Sequence, residues 1–218
     1  MTGLTSSPRV LKAGLVLLDA DTGAIKRIIR LQYNPDTLSR TLEVQGTGDA
    51  GARSEALRLR GPAVETITLE CEIDAVDQLE KPADNPDAVA LGIHPQLAAL
   101  EMMVNPTTAS LNQADAMAAM GTIEIVPNEA PLAVFVWSKQ RVLPVRVTQL
   151  SVTEEAFDAS LNPIRAKVSL GLRVLNVDDV GFDHRAGRLF MSYLTRKEQM
   201  VSKAPLGTLA DFGLQLIT

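Results

Sequence analysis

Few side chains in this sequence could do chemistry. Its 218 residues include two histidines, His94 and His184, and one cysteine, Cys71. A zinc-type site takes three or four ligands from His, Cys, Asp or Glu at suitable spacing, and these three residues lie too far apart to suggest one. Cys71 sits among the apolar positions of an alternating run, where a thiol behaves as a small hydrophobe. His94 precedes Pro95 and reads as a helix-start or packing residue. Asp178, Asp179, Asp183 and His184 form the one dense acidic cluster. Grouped carboxylates can hold calcium or work as an acid/base pair. This spacing fits no calcium loop, however, and Asp recurs in turns and helix caps, so a structural role is expected. There is no G-x-S-x-G, no G-x-G-x-x-G and no P-loop. The expectation is that the chain is not an enzyme, with no catalytic, cofactor-binding or metal-binding residues and no cofactor.

Composition narrows the partners. The chain is 46% hydrophobic and only 4% aromatic, with a net charge of -5. Its core must therefore be built from Val, Leu, Ile and Ala. A pI near 5.1 argues against nucleic acid, because a phosphate-binding face needs clustered Lys and Arg. The lone cysteine leaves no internal disulfide and fits folding in a reducing compartment. The stretch from Met1 to Pro8 lacks the basic-then-apolar build of a signal peptide. No apolar run approaches the roughly 20 residues needed to span a bilayer. The expected location is the cytoplasm, with no membrane partner.

The elements follow from periodicity and punctuation. Val10 to Asp19 and Ala24 to Tyr33 read as strands of a hairpin, joined at Asp19-Ala20-Asp21-Thr22-Gly23 and stopped by Asn34-Pro35. Leu42 to Val44 is a short strand candidate. From Ile67 to Ile73, Ile67, Leu69, Cys71 and Ile73 share one face and Thr68, Glu70 and Glu72 the other, so one side of this strand is buried. Asn85-Pro86 opens a helical stretch, His94-Pro95 divides it, and Leu97, Leu100 and Val104 keep helical spacing up to Asn105-Pro106. A second helix spans Ala109 to Met120. Strand character returns at Thr122 to Val126, Ala133 to Trp137 and Val142 to Thr153. In the last run Leu143, Val145 and Val147 lie on one parity and Leu150 and Val152 on the other, which predicts a bulge or sharp twist between Val147 and Leu150. Ile164 to Val174 alternates throughout. Gly187 to Lys203 is a helix with Leu189, Tyr193, Leu194, Met200 and Val201 inward, followed by Pro205 and a mildly apolar tail. The fold class is mainly β (α+β), with flexible loops expected at Gly46 to Gly61 and Gln78 to Asn85.

Several segments, in order, resemble one family. Leu31-Gln32-Tyr33-Asn34-Pro35-Asp36-Thr37-Leu38 is similar to the FNP-x-T-L opening of tube-type proteins from extracellular contractile injection systems. Arg60-Gly61-Pro62, Asp77-Gln78-Leu79-Glu80, Leu91-Gly92-Ile93-His94-Pro95-Gln96-Leu97 and Val134-Phe135-Val136-Trp137 follow. Arg141-Val142-Leu143-Pro144-Val145-Arg146-Val147, Ser151-Val152-Thr153-Glu154-Glu155 and Leu161-Asn162-Pro163-Ile164-Arg165-Ala166 close the series. The resemblance runs over residues 8 to 200.

That resemblance implies a tube-protein-like β-barrel or sandwich with a flanking helix, in a baseplate hub adaptor joining the spike to the inner tube of a phage-tail-like particle. It implies a homo-hexamer that meets a spike trimer, an adjacent inner-tube ring and surrounding baseplate or sheath proteins. Such proteins often continue into a LysM domain, and residues 181–218 are too short for one. The resulting division is a flexible start at 1–8, a tube-like β domain at 9–180 with a helical insertion near 85–120, and a C-terminal helix and tail at 181–218. A tube initiator or ordinary inner-tube ring is the nearest alternative. A small-ligand or carbohydrate-binding β domain is the alternative of another class. It would need exposed aromatic platforms, whereas Trp137 and Tyr33 lie in strand-like stretches and are expected to be buried.

Overall fold

A computed structural model describes residues 11–19, 21–46, 58–121 and 130–217. Alternation decides most of the architecture. Among the described residues, β1 (Gly14–Leu18), β2 (Ile25–Arg30), β3 (Leu38–Glu43), β4 (Val64–Asp74), β5 (Leu132–Ser138), β6 (Arg141–Phe157) and β7 (Pro163–Val174) form one antiparallel sheet. The strand order is β2-β1-β5-β6-β7-β4-β3. The mainly-β, α+β class is therefore observed, as one curled sheet. The curl brings Gln32, just after β2, to the end of β4, where its side-chain amide bonds both backbone groups of Asp74 at 2.7 and 2.9 Å.

The first hairpin closes where its sequence predicts. Asp19 accepts from the Thr22 amide and hydroxyl at 2.9 and 2.8 Å, and its own amide bonds the Ala24 carbonyl at 2.8 Å. In the second half, the register pairs Val147 with Leu172, Gln149 with Gly171 and Leu150 with Leu170, leaving Thr148 as the extra residue. This is the expected bulge. One inserted residue reverses the parity, so Leu143, Val145, Val147, Leu150 and Val152 all pack toward the same core. Gly171 makes room for it, because a Cβ there would stand 3.1 Å from both Gln149 Cβ and Thr148 Oγ1.

The main core runs as a ribbon across three strands. Ile67, Leu69, Cys71 and Ile73 of β4 pair with Leu172, Leu170, Val168 and Ala166 of β7. All eight are buried or packed against the buried cluster, as their alternation requires. β5 buries both faces. Ala133 and Phe135 join the main core, while Leu132 and Val134 pack on Ala186 in a smaller cluster.

Helices complete the core. α1 (Val76–Leu79), α2 (Pro86–Leu91), α3 (His94–Glu101) and α4 (Thr108–Ala119) follow β4. Leu97 and Leu100 of α3 are buried, but Val104 lies past the helix end and is exposed. α5 (Val177–Val180) and α6 (Arg185–Val201) follow β7. α6 buries Phe190 and Tyr193. Met200 and Val201, expected inward, are exposed at 43% and 70%. α1 and α5, of four residues each, have no periodicity for a sequence to show. Most of the Gly46 to Gly61 loop, and the strand expected at Thr122 to Val126, lie outside the described residues. The Gln78 to Asn85 loop is partly α1 and then a series of turns.

Candidate functional site

The residues first considered for chemistry are spread through the fold. Cys71 is buried in β4, and burial pushes its thiol up to about 11. A thiol held there stays protonated and unreactive at neutral pH. His94 is the first residue of α3. His184 caps α6, its Nδ1 accepting the Ala186 amide at 3.2 Å. Asp179 serves two neighbours. Its carboxylate accepts the Asn176 amide at 3.0 Å in a capping box, and it takes Arg173 at 2.6 Å. The Asp183 carbonyl accepts from Arg188. Asp178 sits apart, beside Arg60 and Gly61. Among the described residues, no three of His, Cys, Asp or Glu are grouped as a metal site would need.

One charged cluster escapes a reading of alternation. Glu65 shares the apolar parity of β4 and is only 3% exposed. Arg40 of β3 reaches its Oε1 at 2.7 Å, and Lys197 of α6 reaches Oε2 at 3.3 Å. Arg40 also donates to the Tyr193 hydroxyl at 3.0 Å, and the Lys197 ammonium lies 4.2 Å above the Tyr193 ring. Burial pushes the Glu65 carboxyl up, but the Arg40 hydrogen bond and the Lys197 charge outweigh it, leaving it below its ordinary value. The phenol and both cations are committed to one carboxylate, so this is a clasp joining β3, β4 and α6. The signal that could have found it is a lone Glu on the apolar side of a strand, which must be paired if buried.

Some of the segments that carry the family resemblance form corners, while Val134–Trp137, Arg141–Val147 and Ser151–Glu155 lie within β5 and β6. The Asn34 side chain donates to the Leu11 carbonyl at 2.7 Å and accepts the Ala13 amide at 2.9 Å, extending the β1 edge. Gln32 does the same for Asp74. Each primary amide imitates a peptide unit, so an edge with no strand beside it is still satisfied. At the opposite end the Pro163 carbonyl accepts the Ile93 amide at 2.8 Å, and Asn162 bonds Ala90 at 3.2 Å. Gly92 makes that docking possible. Its φ is +58°, and a Cβ would stand 2.1 Å from the Pro163 oxygen. Gly92→Ala is expected to cost about 1–3 kcal/mol from the backbone conformation alone, with the overlap adding to that, read as a lowered urea midpoint.

Tyr33 differs from expectation. It is 45% exposed, because β2 ends at Arg30 and Tyr33 lies in the bend that follows. Its ring already carries Lys12 at 5.6 Å. Trp137 is partly buried and packs tilted against Phe135 at 6.1 Å.

The features left open are strand edges. β7 is paired on both sides, by β4 and β6. The β6 pairing with β5 stops at Val145, so residues 146–157 of β6 have no partner on that side among the described residues. β3 covers β4 only from Val64 to Leu69. β2 and β3 end the sheet.

No family model and no curated protein sequence matches this chain. Among solved structures it is similar to a chain from the tail of an empty gene transfer agent particle computed with C6 symmetry. That chain is 11% identical, with 75% of this chain and 90% of the other covered, at a TM-score of 0.30. A second likeness is to a chain in the virion of a native gene transfer agent particle, 10% identical over 74% and 90%, at a TM-score of 0.28.

Proposed function

We propose that this chain is a non-enzymatic ring subunit joining the spike to the inner tube of a phage-tail-like contractile injection particle, with six copies around a central channel. The observation that carries the reading is the unpartnered outer stretch of β6. Among the described residues no strand pairs with the outer side of residues 146–157, while β7 holds the other. Soluble monomers blunt or cover long edges, since an open edge invites pairing with another chain. Pairing it between neighbours in a closed cycle leaves no such edge free. The in-order resemblance of residues 8 to 200 to tube-type proteins supports the same conclusion. The corner residues Gln32, Asn34, Gly92 and Asn162 give those segments a physical purpose in holding the sheet's shape.

Mass in solution and imaging of the intact particle test this together. The expected outcome is a ring of six chains, on the particle axis, in contact with the spike on one side and the tube on the other. A chain that stays monomeric at every concentration, or one found off the axis or in a ring without six-fold or three-fold order, overturns the reading. An ordinary inner-tube subunit would instead stack into long open tubes without the spike, which separates the two ring roles.

A further inference from the structure

We propose that the cleft between β2 and the far end of β4 receives the C-terminal segment of a second copy of this chain, in extended form. The proposal rests on the self-assembly argued above and adds a contact to it. The cleft has a volume of about 420 Å³, with Ile28 and Ile29 on one wall, Ile73 on the other, and Pro95 and Leu100 of α3 at its base.

Both walls are strand edges. Among the described residues β2 is paired on one side only, by β1. On β4, the pairing with β3 ends at Leu69, and the Gln32 amide takes over at Asp74. Glu70 and Glu72 lie between, on a stretch that no described strand covers. Gln32 thus fills one peptide position of a strand that is otherwise missing. The backbone groups on the outer side of β4 between Leu69 and Asp74, and those along the outer side of β2, have no strand partner among the described residues, and an added strand would pair them. The demand is therefore for extended peptide, the mode by which open sheet edges bind partners.

The C-terminal tail supplies the occupant. Every described residue after Val201 is exposed, including Leu206 at 94% and Ile217 at 74%. An apolar segment packed on nothing in its own chain is a partner waiting for a surface. In the free chain Leu209–Phe212 forms a short 3-10 turn closed by Gly213 at φ +69°, so docking must unwind it. Once extended, Phe212, Leu214 and Leu216 alternate with Gly213 and Gln215 and place three large apolar side chains on one face. The six residues Phe212 to Ile217, once extended, span about 20 Å, matching the six residues of β2. Charge agrees. Asp211 is the tail's one charged side chain after Lys203, while the cleft offers Arg27 and Arg30 against Glu72. Within one chain, α6 is held at the Glu65 end of β4 and the cleft lies at the Asp74 end. The tail contributes nothing to the cleft's lining.

The test uses full chains carrying two different tags. One bears Leu214→Cys, the other Ile28→Cys. Both positions are exposed, at 48% and 64%, and native Cys71 is buried. After mixing and mild oxidation, a disulfide joining the two tags is expected, lost when Phe212→Asp is added to the Leu214→Cys chain. Lys139→Cys, exposed in the β5–β6 turn, replaces Ile28→Cys as the control and should give no link. Absence of the mixed disulfide, or a yield equal to the control, overturns the proposal. So does a link formed only within single chains of the Ile28→Cys/Leu214→Cys double variant at high dilution, which would mean the tail covers its own cleft. The wild-type mass is read separately. A six-chain ring without the mixed disulfide sinks the tail contact and leaves the ring intact, whereas a wild-type monomer sinks the ring reading itself.

Discussion

Replacing Arg40 with Leu should lower the unfolding free energy by about 3–5 kcal/mol, the usual cost of stranding a buried charge. Glu65 is 3% exposed in the native chain, and the cation left to it, Lys197, is the more distant one at 3.3 Å. Lys197→Met should cost much less, because Arg40 keeps its 2.7 Å contact. Removing both charges, in Arg40→Leu with Glu65→Leu, should recover a large part of the loss, since an apolar pair leaves nothing unsolvated. Urea denaturation of the four proteins decides it. If the double variant is no more stable than Arg40→Leu alone, the cost lies in packing rather than in the stranded carboxylate.

The same clasp fixes a pH dependence. Glu65 is held below its ordinary value in the folded chain. Its contribution is therefore fully present above the unfolded carboxyl pKa and is lost as pH falls through the depressed folded value. In Arg40→Leu the burial that opposes ionisation meets less opposition, so the folded carboxyl rises toward or above its unfolded value. The stability gap between wild type and variant should accordingly be widest near neutral pH and shrink under acid. A gap that stays constant with pH would mean that Glu65 is not what Arg40 serves.

The strands were legible because alternation is local. Ile164 to Val174 dictates β7 without reference to anything else, and the parity change after Val147 located a bulge that the register then shows at Thr148. The single curled sheet was not legible, since it depends on the Gln32 to Asp74 contact between residues far apart in sequence. Glu65 was hidden for the same reason. Its partners Arg40, Tyr193 and Lys197 come from two other elements, and nothing near Glu65 announces them. The exposure of Met200 and Val201 was not legible, because helical periodicity gives a face but not how far along the helix that face is covered. Asn34, Gly92 and Asn162 could be noticed as motif residues in sequence, yet their purpose appears only once the corners they fasten are seen.

Leu170→Ala should cost about 2–5 kcal/mol, the range for a large-to-small change at a closed core position. Leu170 is 1% exposed and lies in the middle of the three-strand ribbon, opposite Leu69 on β4 and Leu150 on β6. Truncation removes apolar burial and leaves a void between two paired strands, which cannot close without shifting both ladders. The upper part of the range is favoured for that reason, because a cavity that neighbours cannot fill adds to the transfer cost. Leu150→Ala offers the comparison. Leu150 packs against the same cluster but is only partly buried, beside the Thr148 bulge and the unpartnered side of β6. Its void opens toward solvent, so its cost should be clearly smaller. Chemical denaturation, with an unchanged slope and a lowered midpoint, is the measurement. Had β7 been threaded one residue out of phase, Leu170 would face water and its truncation would stay within about 0.5 kcal/mol. A result that small would refute the parity of β7, and with it the ribbon that joins β4, β7 and β6.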